Sequence, residues 1–237
     1  MRIGFDPLIS ETAQRLYGIS ALIEMICRAV PGVEIEEREA LKQLAEREGW
    51  EAGDYAVEDQ FLDIKSLWLD RLSGYSVVVL LSSVVETQLL AYAKRVGQRE
   101  KSVFDPDDLK GSVLEKAAVY VKKVSSLELT KNSRWKTLKD LQEIRNVIVH
   151  RAGRPGNDKA TQLQQMLSDY GEFGLSIGET PYSSTEPGIR LTVHLCRYFA
   201  QEVETFFKDL FQGLGLPVTS GLWPNIQSGF PQKSSSG

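Results

Sequence analysis

The sequence predicts an all-α protein: a helical bundle with an N-terminal helical extension and a short irregular or β insertion before the last helix. Three observations predict it. Apolar residues recur at three-, four- and seven-residue spacing through most of the chain. Helix starts and stops are marked by Asn, Ser and Asp-Pro on one side and Gly on the other. Only one internal stretch, Met166 to Gly188, is too rich in glycine and proline to be a continuous helix. With 237 residues, 42% of them hydrophobic and 25% charged, the chain can bury a substantial core in one domain, or in one domain with an extension.

In chain order, Ser10 to Val30 reads as an amphipathic helix, with Ala13, Leu16, Ile19, Leu22, Ile23, Ile26 and Cys27 on one side and Pro31-Gly32 as its stop. A second, charged helix is expected from Val33 to Glu48, with a narrow stripe of Ile35, Ala40, Leu41, Leu44 and Ala45. Together these make residues 1–53 an N-terminal extension. A long helix then begins near Asp54, and Phe61, Ile64, Trp68, Leu72, Tyr75, Val78, Val85, Leu89, Tyr92 and Val96 form its seam as far as Gly97. Gly74 is a possible kink. The run SVVVLLSSVVE is apolar most of the way round, which implies cover on several sides, and Glu86 ends it.

Asp105-Pro106-Asp107-Asp108 is expected to open a third main segment, with Pro early and acids at its positive end. Leu109, Val113, Leu114, Ala117, Val121, Val124 and Leu127 give it a core face. After the insertion, where Glu172 to Ile177 and Gly188 to Leu191 suit short strands or a hairpin, a final helix from Arg190 to Phe211 packs Leu195, Phe199, Val203, Phe206 and Phe207. The tail, residues 213–237, has the composition of a mobile segment, with Leu222, Trp223 and Phe230 as possible anchors.

The helix Asn132 to Gly153 carries the chemistry. Asn132 or Ser133 is its candidate cap, and Gly153, followed by Pro155, its left-handed end. Stepping about 100° per residue from Leu138 puts Leu141, Ile144, Ile148 and Val149 in one arc, with Arg145 inside it. A cation at the border of a buried face calls for an anionic partner, and Glu86 is the obvious carboxylate. Asn146 and His150, four residues apart, share a polar flank. From the residues alone, His150 and Arg151 also fit as cations stabilised by the negative end of the helix dipole.

The segment Arg145-Asn146-Val147-Ile148-Val149-His150 resembles the signature of the HEPN superfamily, in which an Arg precedes a His on the third helix of a small bundle. The resemblance covers roughly Glu58 to Gln212, and implies a four-helix up-down bundle over residues 54–212. It also implies a homodimer in which two such helices face each other, so that both Arg and His pairs line one groove. Many members are metal-independent ribonucleases of toxin or antiviral defence systems; others are non-catalytic interaction or nucleotide-binding modules. By this resemblance Arg145, Asn146 and His150 are the catalytic residues, RNA is the substrate, and an antitoxin or defence partner is possible. One departure from the toxin subgroup is Ala152, where a Tyr usually stands two residues after the His.

Residue chemistry agrees with that assignment. Metal-free RNA cleavage needs a base for the 2′-hydroxyl, an acid for the leaving 5′-oxygen and a cation for the phosphorane. Histidine suits either proton step, and Arg145 suits a bidentate phosphate grip. One such His per chain is too few, so two copies must pool theirs. Arg151, Arg154, Lys136 and Lys139 would supply local positive charge despite a net charge of −4. His194 has no partner motif. No Gly-rich phosphate loop, GxSxG or HExxH occurs, and two His and two Cys at wide spacing argue against a metal or cofactor site. Cys27 and Cys196, without CxxC, read as buried free thiols of a reducing compartment. The longest apolar run, Val77 to Val85, is broken by Ser82 and Ser83, so no membrane span is expected. The N-terminus lacks a signal-peptide pattern, so the protein is expected to be cytoplasmic.

Overall fold

In the computed structural model, which describes residues 6–156, 160–180, 183–218 and 220–224, the protein is mostly helical. Among the described residues there are six α-helices and one antiparallel hairpin. The helices are α1 (Pro7–Glu48), α2 (Ala52–Arg99), α3 (Val113–Val124), α4 (Trp135–Arg151), α5 (Ala160–Tyr170) and α6 (Val193–Gly213). The hairpin is β1 (Leu175–Thr180) with β2 (Ser183–Leu191), in the register Leu175 with Leu191 and Ile177 with Ile189. The expected hairpin is therefore present, preceded by the additional helix α5.

The chain forms two compact units that cut across chain order. One comprises Met1–Ser20, Val84–Leu138 and Arg197–Gly237; the other comprises Ala21–Ser83 and Lys139–Cys196.

In the first unit, an aromatic cluster forms the heart of the core. Phe206 packs on Trp135 and Phe207 with ring centroids 6.2 and 5.6 Å apart, and Phe211 meets Phe207, Tyr92 and Trp223 at 6.1 to 6.2 Å. Trp223 thus does anchor the tail, whereas Phe230 lies outside the described residues. The third main segment is two elements rather than one. Asp105 caps a single 3-10 turn, Pro106–Asp108, and Ser112 caps α3 in a reciprocal box with Glu115. Gly111, at φ +113, makes the break. Gly97 is not the stop of α2 but a point of contact, since a Cβ there would lie 2.0 Å from the Tyr120 hydroxyl.

In the second unit, residues 21–48 of α1 and 52–83 of α2 form an antiparallel pair joined at Gly49, whose φ is +64. Arg38 bridges Glu34, Asp59 and Asp63, Lys65 pairs with Glu37, and the Ser66 hydroxyl donates to Glu34 at 2.8 Å. Charges distributed along both helices in this complementary order fix their register. The helix break expected at Pro31-Gly32 does not occur, because α1 runs through Pro31. One proline removes a single ladder hydrogen bond and crowds the carbonyl four residues back, at a cost of about 3 kcal/mol, which helix on both sides can absorb.

Gly74 sits within α2, where it lets β2 approach: a Cβ would lie 2.9 Å from the Leu191 carbonyl oxygen. Cys196 is buried against the Gly74 carbonyl at 3.7 Å, and burial pushes its thiol up to about 12, so it stays protonated at neutral pH. Cys27 is half-buried and, among the described residues, in no disulfide. The final helix starts at Val193 because Arg190 and Leu191 belong to β2; the Thr192 hydroxyl accepts from the Leu195 amide at 3.4 Å.

The expectation of no membrane-length segment is corrected: α1 and α2 each hold an 18-residue stretch apolar and long enough to cross a bilayer, by length and composition. The stretch in α2 is 56% buried inside the protein, as a core helix is, but that in α1 is only 17% buried. Unbroken apolar runs miss such stretches, because a span tolerates one or two charges.

Candidate functional site

The end of α4, in the second unit, is built by a change of backbone hand. Ala152 (φ 50) and Gly153 (φ 80) are both left-handed, so the expected terminator is present with a non-glycine residue ahead of it. The Gly153 amide donates back to the Val147 carbonyl at 3.0 Å, and that of Arg154 to the Arg151 carbonyl at 2.9 Å. Gly153 then accepts from the Ile189 amide at 2.9 Å, which ties the helix end to β2. Tyr75 closes the arrangement. Its hydroxyl donates to the Ile189 carbonyl at 2.8 Å, and a Cβ on Gly153 would lie 1.9 Å from it.

On this frame α4 buries Leu138, Leu141, Ile144, Val147 and Ile148, whereas Val149, expected in the core arc, is 48% exposed. The buried arc is centred between Leu141 and Ile144, and it takes in Thr137 and Asp140, both 8% exposed. Asp140 accepts from the Tyr170 hydroxyl of α5 at 2.8 Å, a buried pair that the apolar pattern concealed.

Arg145 therefore stands at the border of the core, half-buried. Its Nη1 donates to Asn146 Oδ1 at 3.1 Å, and among the described residues it joins no ion pair. Glu86, the expected partner, belongs to the first unit. Asn146 is half-buried and His150 exposed, and among the described residues no hydrogen bond joins them; the amide oxygen of Asn146 serves Arg145 instead. His150, Arg151 and Arg154 follow one another along the exposed end of α4, and Lys139 is exposed earlier on it, while Lys136 lies in the first unit. Five residues separate Arg145 from His150, which sets them about 140° apart around the helix and about 7.5 Å along it. One copy thus presents a guanidinium and an imidazole on diverging sides of one helix end, with Asn146 between.

Sequence reasoning missed Arg71, the most deeply buried cation near this frame. It is 6% exposed, its Nε donates to the Tyr75 hydroxyl at 2.8 Å, and its guanidinium lies 5.2 Å from the Tyr75 ring and 5.9 Å from that of Trp68. The signal was there: Arg71 stands three residues after Trp68 and four before Tyr75, in phase with the seam. Among the described residues no group of three or more His, Cys, Asp or Glu could hold a metal ion.

No family model matches the chain, and neither a curated protein nor a solved structure matches it.

Proposed function

We propose that the protein is a HEPN-like, homodimeric, metal-independent endoribonuclease of a toxin or antiviral defence system, working in the cytoplasm. In this proposal α2, α3, α4 and α6 supply the four helices of the up-down bundle. The observation that carries it is the exposed His150 in the last turn of α4, on the same helix as the Arg145–Asn146 pair. His150 of one copy takes the 2′-hydroxyl proton, and the 2′-oxygen attacks phosphorus. The P–O5′ bond breaks, and the second copy's imidazolium protonates the leaving oxygen, giving a 2′,3′-cyclic phosphate end. Arg145, oriented by Asn146, holds the non-bridging oxygens, and Arg151, Arg154, Lys136 and Lys139 attract the RNA backbone.

A second reading is a non-catalytic dimeric HEPN-like module that binds a partner or a nucleotide. It is favoured because, among the described residues, no hydrogen bond orients His150. RNA digestion with EDTA present separates the two. Cleavage to cyclic phosphate ends that falls about 10²- to 10⁴-fold in both His150→Ala and Arg145→Ala supports the nuclease. No cleavage by the unmutated protein, or equal cleavage by His150→Ala, rejects it in favour of the module.

A further inference from the structure

We propose that a cleft in the second unit, between α2 and the β1–β2 hairpin, binds a phosphate-bearing small molecule through Arg71. The cleft is about 280 Å³, with Leu67, Asp70 and Arg71 on one wall and Ser176, Arg190 and Leu191 on the other. None of these residues belongs to α4, and the proposal stands independently of the nuclease assignment.

Arg71 carries the inference. Its side chain is almost wholly buried, yet among the described residues no carboxylate pairs with it, and its terminal Nη1 and Nη2 have no hydrogen-bond acceptor; Nε alone is used, on Tyr75. Guanidinium does not shed its proton in a protein, so burial cannot be relieved by neutralisation. The ring faces of Tyr75 and Trp68 offset only part of the lost hydration. Asp70, the next residue, lines the same cleft but is exposed and makes no ion pair among the described residues. A donor fork on an otherwise buried side chain, opening on a cleft whose one carboxylate, Asp70, does not pair with it, is an arrangement that an external oxyanion completes.

The donor count favours phosphate over carboxylate. Arg71 offers two terminal nitrogens, the Ser176 hydroxyl has no partner among the described residues, and Arg190 adds a second positive charge to the opposite wall. Three oxygens suit these donors better than two. Leu67 and Leu191 give the organic part of the ligand an apolar seat, and the Asp70 carboxylate accepts from a hydroxyl or amine on it.

Calorimetry on the full chain, with inorganic phosphate, AMP and adenosine as probes, tests this. AMP and phosphate are expected to bind with Kd below about 10 mM, AMP more tightly, and adenosine not measurably. Arg71→Lys and Arg71→Met should weaken AMP binding at least about tenfold, and Ser176→Ala about three- to tenfold. Absence of phosphate and AMP binding by the unmutated protein overturns the proposal, as does undiminished binding by a folded Arg71 variant. Should both Arg71 variants fail to fold, Ser176→Ala and Arg190→Met, at exposed positions, decide in the same way. The RNA-cleavage assay plays no part in this test, so either proposal can fall alone.

Discussion

Arg71 and Arg145 are both guanidiniums set among apolar helical residues, and the protein treats them differently. Arg145 stands at the edge of the α4 core face, half-buried, with Asn146 as a neutral neighbour. Arg71 lies within the α2 seam, 6% exposed, stacked against two rings. The difference is one of phase. The steps Trp68, Arg71, Tyr75, Val78 are three, four and three, so Arg71 points where the core points. Arg145 lies about 70° from the middle of the buried arc of α4, where a long side chain reaches water. A cation needs an anion in proportion to its desolvation, so that need falls more heavily on Arg71 than on Arg145.

Several substitutions sharpen this contrast. The largest effect is expected where the surroundings of the two arginines meet, at Gly153 against Tyr75. A methyl group at Gly153 would occupy the place of the Tyr75 hydroxyl, on a residue already left-handed, so Gly153→Ala should cost about 2–4 kcal/mol in denaturant unfolding. A change below about 0.5 kcal/mol would show that Tyr75 can move away freely.

Next is Arg71→Met. Without ligand it removes an unpaired buried charge while keeping most of the packing on Trp68, and Tyr75 retains its bond to Ile189. The variant should be more stable by about 1 kcal/mol, whereas Arg145→Met should lie within about 0.5 kcal/mol of the unmutated protein. Melting curves in buffer free of phosphate read both; a destabilised Arg71→Met would mean that the ring contacts outweigh the desolvation. At the neighbouring helix end, Ala152→Gly relieves a positive φ and should stabilise by about 0.5 kcal/mol.

The smallest effect concerns Asp70. Partial desolvation by its surroundings, and secondly the charge of Glu34, raise its carboxyl pKa above the ordinary range. A carboxyl that binds its proton more tightly when folded carries no penalty below its unfolded pKa, and disfavours folding once pH has risen through the folded value. Asp70→Asn should therefore stabilise the protein by a few tenths of a kcal/mol at about pH 7, a gain that vanishes near pH 3. A gain independent of pH would assign the effect to something other than ionisation.

Much of the fold was legible from periodicity and punctuation. The seam from Tyr75 to Val96, the glycine stop at Gly153 and the hairpin after Gly171 appear where spacing and turn residues put them, whereas Phe61 and Leu72, expected in the same seam, are exposed. What failed was local grammar opposed by longer-range packing. Pro31-Gly32 reads as a stop, yet α1 continues through it. Gly74 and Gly97 read as a kink and an end, but each is a contact point where Leu191 or Tyr120 needs the missing side chain. Val149 shows the limit of helical phase, since one residue at the margin of an arc turns out to solvent when the arc's centre shifts.

By itself the sequence determined the helical class, because periodic apolar residues can bury a continuous stripe only in that backbone. It also determined the exposed polar end of α4, where His150 follows Asn146 by one turn. Only the tertiary structure decided which cation is buried, which glycine admits the close approach of another element, and that α2 and the β hairpin wall a cleft around Arg71. The physical reason is that desolvation and close approach depend on what stands opposite a residue. That neighbour is often more than a hundred positions away, as Ile189 is from Tyr75, and no local pattern records it.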